Sequence, residues 1–297
     1  MPIAETASLS ERETFALSDG RKLTYAIHGA STGPEIVVVD GPGSRGMALA
    51  GTPTATELGI RLLAIDRPGF GGSTSGESRG IADWATDCLE LLDELAIDQV
   101  GLWAQSGGTP YGLALAAAAP ERVIAISLLG AFAPTDDPES VKELGGQAKI
   151  GVKLSRRAPW LLRLMLRSMA RGAGRDPERT ARKVVKDLPP ADAAAIEDPR
   201  LWAIHVTATA EILGRPDAIA REIGLLGKPW GFDPCSVTVP ARFWSGEADH
   251  VHPTSQSNRL AECLEGARVE TVSDAANFGL ISIYPAAMRF AVQRPRT

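Results

Sequence analysis

The chain has 297 residues, 44% hydrophobic and 23% charged, with a formal net charge of −5. This length suits one large core with an inserted lobe, and the composition is ordinary for a globular protein, which excludes a wholly disordered chain and a coiled coil. The mild acidity gives no reason to expect a polyanionic partner, so no nucleic-acid partner is expected.

In chain order, Thr14 to Leu17 and Leu23 to Ile27 read as short strands joined by the Ser18-Asp19-Gly20 turn. Glu35 to Val39 is a β-branched run that ends at Asp40-Gly41-Pro42-Gly43, a buried strand running into a loop. Strands and helices then alternate: strand Arg61 to Ile65, loop Asp66 to Gly72, helix Ile81 to Leu95, strand Val100 to Ala104, helix Gly107 to Ala118 and strand Val123 to Leu129. Repeated βαβ units imply an α/β fold with a mostly parallel sheet covered on both faces.

From Pro134 to about Asp233 only helical patterns occur, broken by Pro159, Pro189-Pro190, Pro199 and Pro216. Strand character returns at Val239 to Trp244 and Arg268 to Val272, with a helix near Pro253 to Cys263 and another after Pro285. The organisation expected is therefore a core of residues 1–133 and 234–297, with residues 134–233 inserted as an all-helical cap. Lysines and arginines crowd this insertion from Lys149 to Lys186. Such runs are read here as solvated helix faces, the alternative being a surface for nucleic acid or anionic membrane.

The three cysteines, Cys88, Cys235 and Cys263, are far apart and without C-x-x-C spacing, which predicts neither a disulfide framework nor a zinc site and favours a reducing, cytoplasmic setting. Met1 to Thr14 lacks the basic-then-apolar pattern of a secretory signal. No apolar run approaches the roughly 20 residues that cross a bilayer, so no membrane partner is expected. No metal constellation and no Walker or dinucleotide glycine spacing is visible, so no cofactor is expected. The partner anticipated is a small-molecule substrate, on a monomer or homodimer.

Ala104-Gln105-Ser106-Gly107-Gly108 lies between a strand and a helix, the setting of a nucleophile elbow. The turn there is so sharp that the residues two before and two after the serine must be small, and the serine itself is strained. That strain lifts the hydroxyl above the sheet edge, where the N–H groups of the following helix converge.

Three segments, Pro42-Gly43-Ser44-Arg45, Asp66-Arg67-Pro68-Gly69-Phe70-Gly71-Gly72-Ser73 and Ser106-Gly107-Gly108-Thr109-Pro110-Tyr111, resemble in order the motifs of one branch of the α/β-hydrolase superfamily. The similarity runs over nearly the whole chain except the insertion. It implies an eight-stranded sheet, a cap over the pocket, and the order nucleophile, acid, histidine. Asp249, in Ser245-Gly246-Glu247-Ala248-Asp249, stands where the family carries its acid.

Two positions depart from the pattern. Ala275-Ala276-Asn277-Phe278-Gly279 puts Asn277 where the family has histidine, and an amide has no site that accepts a proton near neutral pH. The oxyanion loop reads Val39-Asp40-Gly41-Pro42-Gly43, with Asp40 in place of a glycine; since Pro42 has no N–H, Gly41 and Gly107 are the expected oxyanion donors. Asp40 would oppose negative charge there, or act as an acid or base.

These departures predict non-hydrolytic chemistry, of lyase, isomerase or cyclase type in a biosynthetic pathway, on a small apolar carbonyl compound. Ser106, Asp249, Asn277 and Asp40 would be the catalytic groups, and Gln105, His205, Trp160, Trp202 and His252 would bind substrate. The alternatives are a serine esterase whose histidine has moved, with His252 and His205 better placed than His28 and His250, and a non-catalytic ligand-binding protein. Leu161, Leu162, Leu164, Met165, Leu166 and Met169 are expected to add an apolar lining.

Overall fold

The computed structural model describes residues 11–43, 45–76, 79–186 and 188–294, so Met1 to Ser10 of the N-terminal stretch and Ser44 of the Pro42-Gly43-Ser44-Arg45 motif lie outside the described residues. β1 (Glu13–Ala16) and β2 (Lys22–Gly29) form an antiparallel hairpin. There follow β3 (Glu35–Val39), α1 (Gly46–Leu58), β4 (Arg61–Ile65), α2 (Asp83–Glu94), β5 (Val100–Gln105), α3 (Thr109–Ala118) and β6 (Val123–Leu129).

Among the described residues seven helices come next: α4 (Pro138–Glu143), α5 (Gly146–Arg157), α6 (Pro159–Arg175), α7 (Pro177–Val184), α8 (Pro190–Glu197), α9 (Pro199–Leu213) and α10 (Pro216–Leu226). All but α5 begin on proline, whose fixed φ suits the first helical position and whose missing N–H costs nothing there. The prolines that punctuate this sequence are thus helix starts. β7 (Ala241–Gly246), α11 (Thr254–Ala261), β8 (Arg268–Val272) and α12 (Tyr284–Ala291) complete the chain.

The eight strands form one sheet in the order β1-β2-β4-β3-β5-β6-β7-β8, parallel from β4 to β8 and antiparallel at β1 and β2. Alternate side chains of the fully buried β5 enter opposite cores. Leu102 and Ala104 pack with Trp84, Cys88 and Leu91 of α2, while Trp103 packs with Met47 and Ala48 of α1 and Tyr284 and Met288 of α12. A third cluster joins Phe70, from the loop after β4, to Leu162, Leu166, Leu213 and Ile219 of the inserted helices. The insertion is therefore packed on the sheet domain by an aromatic of the Asp66 to Ser73 motif.

The fold has two features the sequence reading did not anticipate. One is α1, whose Gly46, Gly51 and Pro53 mask it in the sequence; Gly51 is small because Met288 and Trp103 lie where its Cβ would be. The other is a disulfide between Cys235 and Cys263, which corrects the expectation of unpaired cysteines. The residues just before β7 and just after α11 come side by side because that strand and helix are neighbours, bringing the two Cα atoms to 5.1 Å across 28 residues of sequence. Sequence distance hid the pair, and the pairing removes the cysteine argument for a reducing setting. Among the described residues no helix is long and apolar enough to cross a membrane.

Candidate active site

Ser106 follows the last residue of β5 and has φ of +53°, a conformation side-chain-bearing residues rarely adopt. Its surroundings enforce the small residues of the motif: a Cβ on Gly108 would fall 1.9 Å from the Val39 carbonyl oxygen, and one on Gly112 would meet Ala104 at 3.0 Å. The elbow thus wedges its hydroxyl between the end of β3 and the inserted helices.

An imidazole meets that hydroxyl. His252 Nε2 lies 2.8 Å from Ser106 Oγ, and its Nδ1 lies 3.3 Å from Asp249 Oδ2. Asp249 and His252 sit on one short loop between β7 and α11, where Asp249 Oδ1 accepts the backbone N–H groups of Val251 (2.7 Å) and His252 (2.8 Å). This turn holds the acid and the imidazole as one unit. Gly130, just after β6, turns the chain beside them with φ of +49°, a conformation that favours glycine; a Cβ there would meet Asp249 Oδ2 at an ordinary contact distance of 3.5 Å. Burial alone would raise the Asp249 pKa, but the ring hydrogen bond and charge of His252, with the two backbone N–H groups, hold it below the ordinary value. With Nδ1–H directed at this carboxylate, Nε2 is left to accept the serine proton.

The absence of a base at Ser106, on which the expectation of non-hydrolytic chemistry rested, does not hold in the structure. His252, expected to bind substrate, instead bonds the Ser106 hydroxyl. The sequence signal was present in Asp249-His250-Val251-His252-Pro253, an imidazole placed just before a helix and three residues after the acid, but spacing alone does not say which way the ring points. His250 is exposed, and His28 is in β2, where burial first and the Arg45 charge second lower its pKa to about 4.

Asn277 faces the same cavity as Ser106 and accepts a hydrogen bond at Oδ1 from Gln105 Nε2. Its loop is braced by the buried Asp192 of α8, whose carboxylate accepts the N–H groups of Ala276 and Phe278, each at 2.6 Å. Sequence reasoning missed Asp192, since nothing in Pro190-Ala191-Asp192-Ala193 distinguishes it from an ordinary first-turn acid.

The oxyanion loop is built differently from expectation. The Gly41 N–H donates to Asp40 Oδ1 at 2.7 Å, and the Met47 N–H donates to Asp40 Oδ2 at 2.8 Å. Asp40 thus grips its own loop and occupies the donor assigned to an oxyanion; the carboxylate replaces the carbonyl that Gly41 was expected to meet. Behind this loop, Arg67 donates to the carbonyls of Asp40 (2.8 Å) and Gly41 (2.6 Å) and to Glu222 Oε1 of α10 (2.5 Å). Its guanidinium also stacks 4.7 Å from the Tyr111 ring centroid. Burial raises the Glu222 pKa, opposed by the attraction of Arg67.

Two cavities meet at Ser106. One, of about 300 Å³, is bordered by Asp40, Gln105, His205, Ile212, Asn277 and Phe278; the other, of about 150 Å³, by Gly107, Phe132, Val152, Ile223, Leu226 and His252. The side chains expected to line the pocket from α6 do not. Trp160 is 67% exposed, Leu164, Met165 and Met169 also face outward, and Leu162 and Leu166 pack against Phe70. Trp202 borders a separate hollow, stacked under Arg182. The apolar periodicity of α6 identified an amphipathic helix but not which neighbour its buried stripe meets.

Residues 41–282 match the family model described as alpha/beta hydrolase fold. The chain is 32% identical over 113 residues to an uncharacterized hydrolase of Bacillus subtilis, covering 38% of this chain and 39% of that protein. It is 33% identical over 124 residues to the 2-hydroxy-6-oxo-2,4-heptadienoate hydrolase of Pseudomonas putida, covering 39% and 45% respectively. The matched region thus spans about two fifths of the length of these curated relatives. Among solved structures, an alpha/beta hydrolase fold protein from Nakamurella multipartita superposes with a TM-score of 0.69 at 21% identity, over 95% of this chain and 99% of that one.

Proposed function

Because this chain belongs to the alpha/beta hydrolase fold family, we propose that it is a serine hydrolase acting on the ester, or similarly activated carbonyl, of a small and largely apolar molecule. The observation that carries the reading is the 2.8 Å contact between Ser106 Oγ and His252 Nε2, with Asp249 behind the ring. The relatives named as hydrolases agree with it.

In this reading Ser106 Oγ attacks the carbonyl carbon while His252 Nε2 takes its proton. Asp249, held ionised, orients the ring and stabilises the imidazolium. The Gly107 N–H faces the developing oxyanion, joined by the Gly41 N–H when the Asp40 carboxylate releases it. His252 then returns the proton to the leaving group, and water, activated by the same imidazole, frees the acyl group from Ser106. Since His252 borders the smaller cavity, the leaving group belongs there and the acyl portion in the larger one. Asn277 and Gln105 then become the polar end of the acyl site.

The test is a comparison of His252→Ala and Asn277→Ala with wild type on short aryl esters, together with fluorophosphonate labelling of Ser106. His252→Ala is expected to lower kcat by roughly 10⁴-fold or more and to abolish labelling. Asn277→Ala is expected to change KM and acyl preference while keeping kcat within about tenfold. Equal loss in both variants, or turnover that survives His252→Ala, would overturn the assignment.

A further inference from the structure

Between Leu144 and Arg175 the sequence holds eight lysines and arginines and no aspartate or glutamate, in a chain whose net charge is −5. This segment forms α5 and α6, so the basic charge is concentrated on two adjoining helices of an otherwise acidic protein. α6 has two faces. Leu162, Leu166 and Ala173 are buried, whereas Trp160, Leu164, Arg167, Arg171 and Arg175 recur at spacings of three and four and face outward.

That outward face is unusual for a solvated helix. Trp160 is 67% exposed and Leu164 52%, and Met165 and Met169 on the flank are more than two-fifths exposed. A surface that only needed solubility would not place a tryptophan, a leucine and two methionines there. An aromatic and aliphatic ridge bordered by arginines, without carboxylates on the same helix, is complementary to an anionic lipid surface: the apolar side chains enter the acyl boundary and the arginines meet the headgroups. Asp217 on α10 pairs with Arg167 at 3.0 Å with both side chains exposed, and Asp176 caps the C-terminal end of α6 beyond the apolar ridge. Nucleic acid would use the arginines but would give Leu164, Met165 and Met169 nothing to contact.

We propose that the outward face of α6 docks the protein peripherally on membranes containing anionic lipid. The absence of a spanning segment, from which no membrane partner was expected, does not bear on a contact of this kind. Because α6 packs on α10, which borders the smaller cavity, such docking sets the cap against the bilayer, where apolar substrates partition.

The experiment is co-sedimentation with vesicles of phosphatidylcholine alone or mixed with phosphatidylglycerol, which needs no turnover. Wild type is expected to bind the mixed vesicles and not the neutral ones, with binding that weakens as salt rises. Trp160→Ser with Leu164→Ser, and separately Arg163→Glu with Arg171→Glu, are each expected to weaken binding by about tenfold or more. All four side chains are exposed, and unchanged thermal melts would show that the variants fold. Failure of wild type to sediment, or sedimentation of both double variants like wild type, would overturn the proposal. So would a dimer in light scattering that Trp160→Ser and Leu164→Ser dissociate, or duplex DNA binding that competes with the vesicles.

Discussion

Asp40 holds the N–H of the residue that follows it, and in the proposed mechanism this controls how strongly an oxyanion can be stabilised. A carboxylate there both competes for the Gly41 donor and repels negative charge developing at the Ser106 carbonyl. Asp40→Asn keeps an oxygen for the Met47 N–H while removing the charge, and is expected to raise kcat on aryl esters by about tenfold at unchanged pH. Steady-state kinetics on the two proteins checks this; a fall in kcat would instead make Asp40 a participant in proton transfer. Ser106 and Asp249 were legible in the sequence because their neighbours must be small or turn-forming. The imidazole that meets Ser106 was not: four histidines were candidates, and only three-dimensional placement separates His252 from His250 two residues earlier. The pairing of Asn277 with Gln105 was equally hidden, because an amide's partner is set by the approach of β5 to the turn after β8.

α10 is fastened to the sheet domain by the buried Arg67–Glu222 pair, and the same arginine holds the carbonyls of the oxyanion loop. Removing one member leaves the other charge buried, so Glu222→Ala is expected to cost about 3–5 kcal/mol, whereas Arg67→Met with Glu222→Leu should lie much closer to wild type. Urea unfolding of the three proteins measures this, and kcat should fall in both variants that lose Arg67 or its orientation. Whole elements were easier to read than such links. β3, β4, β6 and β8 occupy the spans that their β-branched and aliphatic runs indicate. α1 was missed because its face against Trp103 and Met288 needs glycine and alanine, which carry little apolar signal. The long-range partners Glu222, Asp192 and Cys235 were missed because each lies more than 25 residues from its contact.

For the molecule as a whole, two conditions should set its stability. His28 titrates at about 4 when folded and near 6.5 when unfolded. Between these values the unfolded chain binds a proton that the folded one does not, so this contribution is complete above about pH 6.5 and declines as pH falls toward 4, by at most about 3 kcal/mol. Chemical denaturation at pH 7 and 4.5 should show a smaller loss for His28→Gln than for wild type. Closing 28 residues with the Cys235–Cys263 bond corresponds to about 3–4 kcal/mol of chain entropy, so dithiothreitol should lower Tm by several degrees, and Cys235→Ser should remove the reductant's effect. Both cysteines flank the segment that carries Asp249 and His252, which brings out what that shared loop means for the rest of the chain. Two of the three groups of the proposed triad travel on a single arc, so their alignment with Ser106 depends on one joint rather than two. In the proposed mechanism none of the described residues after Pro253 has to deliver a reacting atom, so the turn carrying Asn277 would be at liberty to diversify its side chains toward new acyl groups without disturbing the contact between His252 and Ser106.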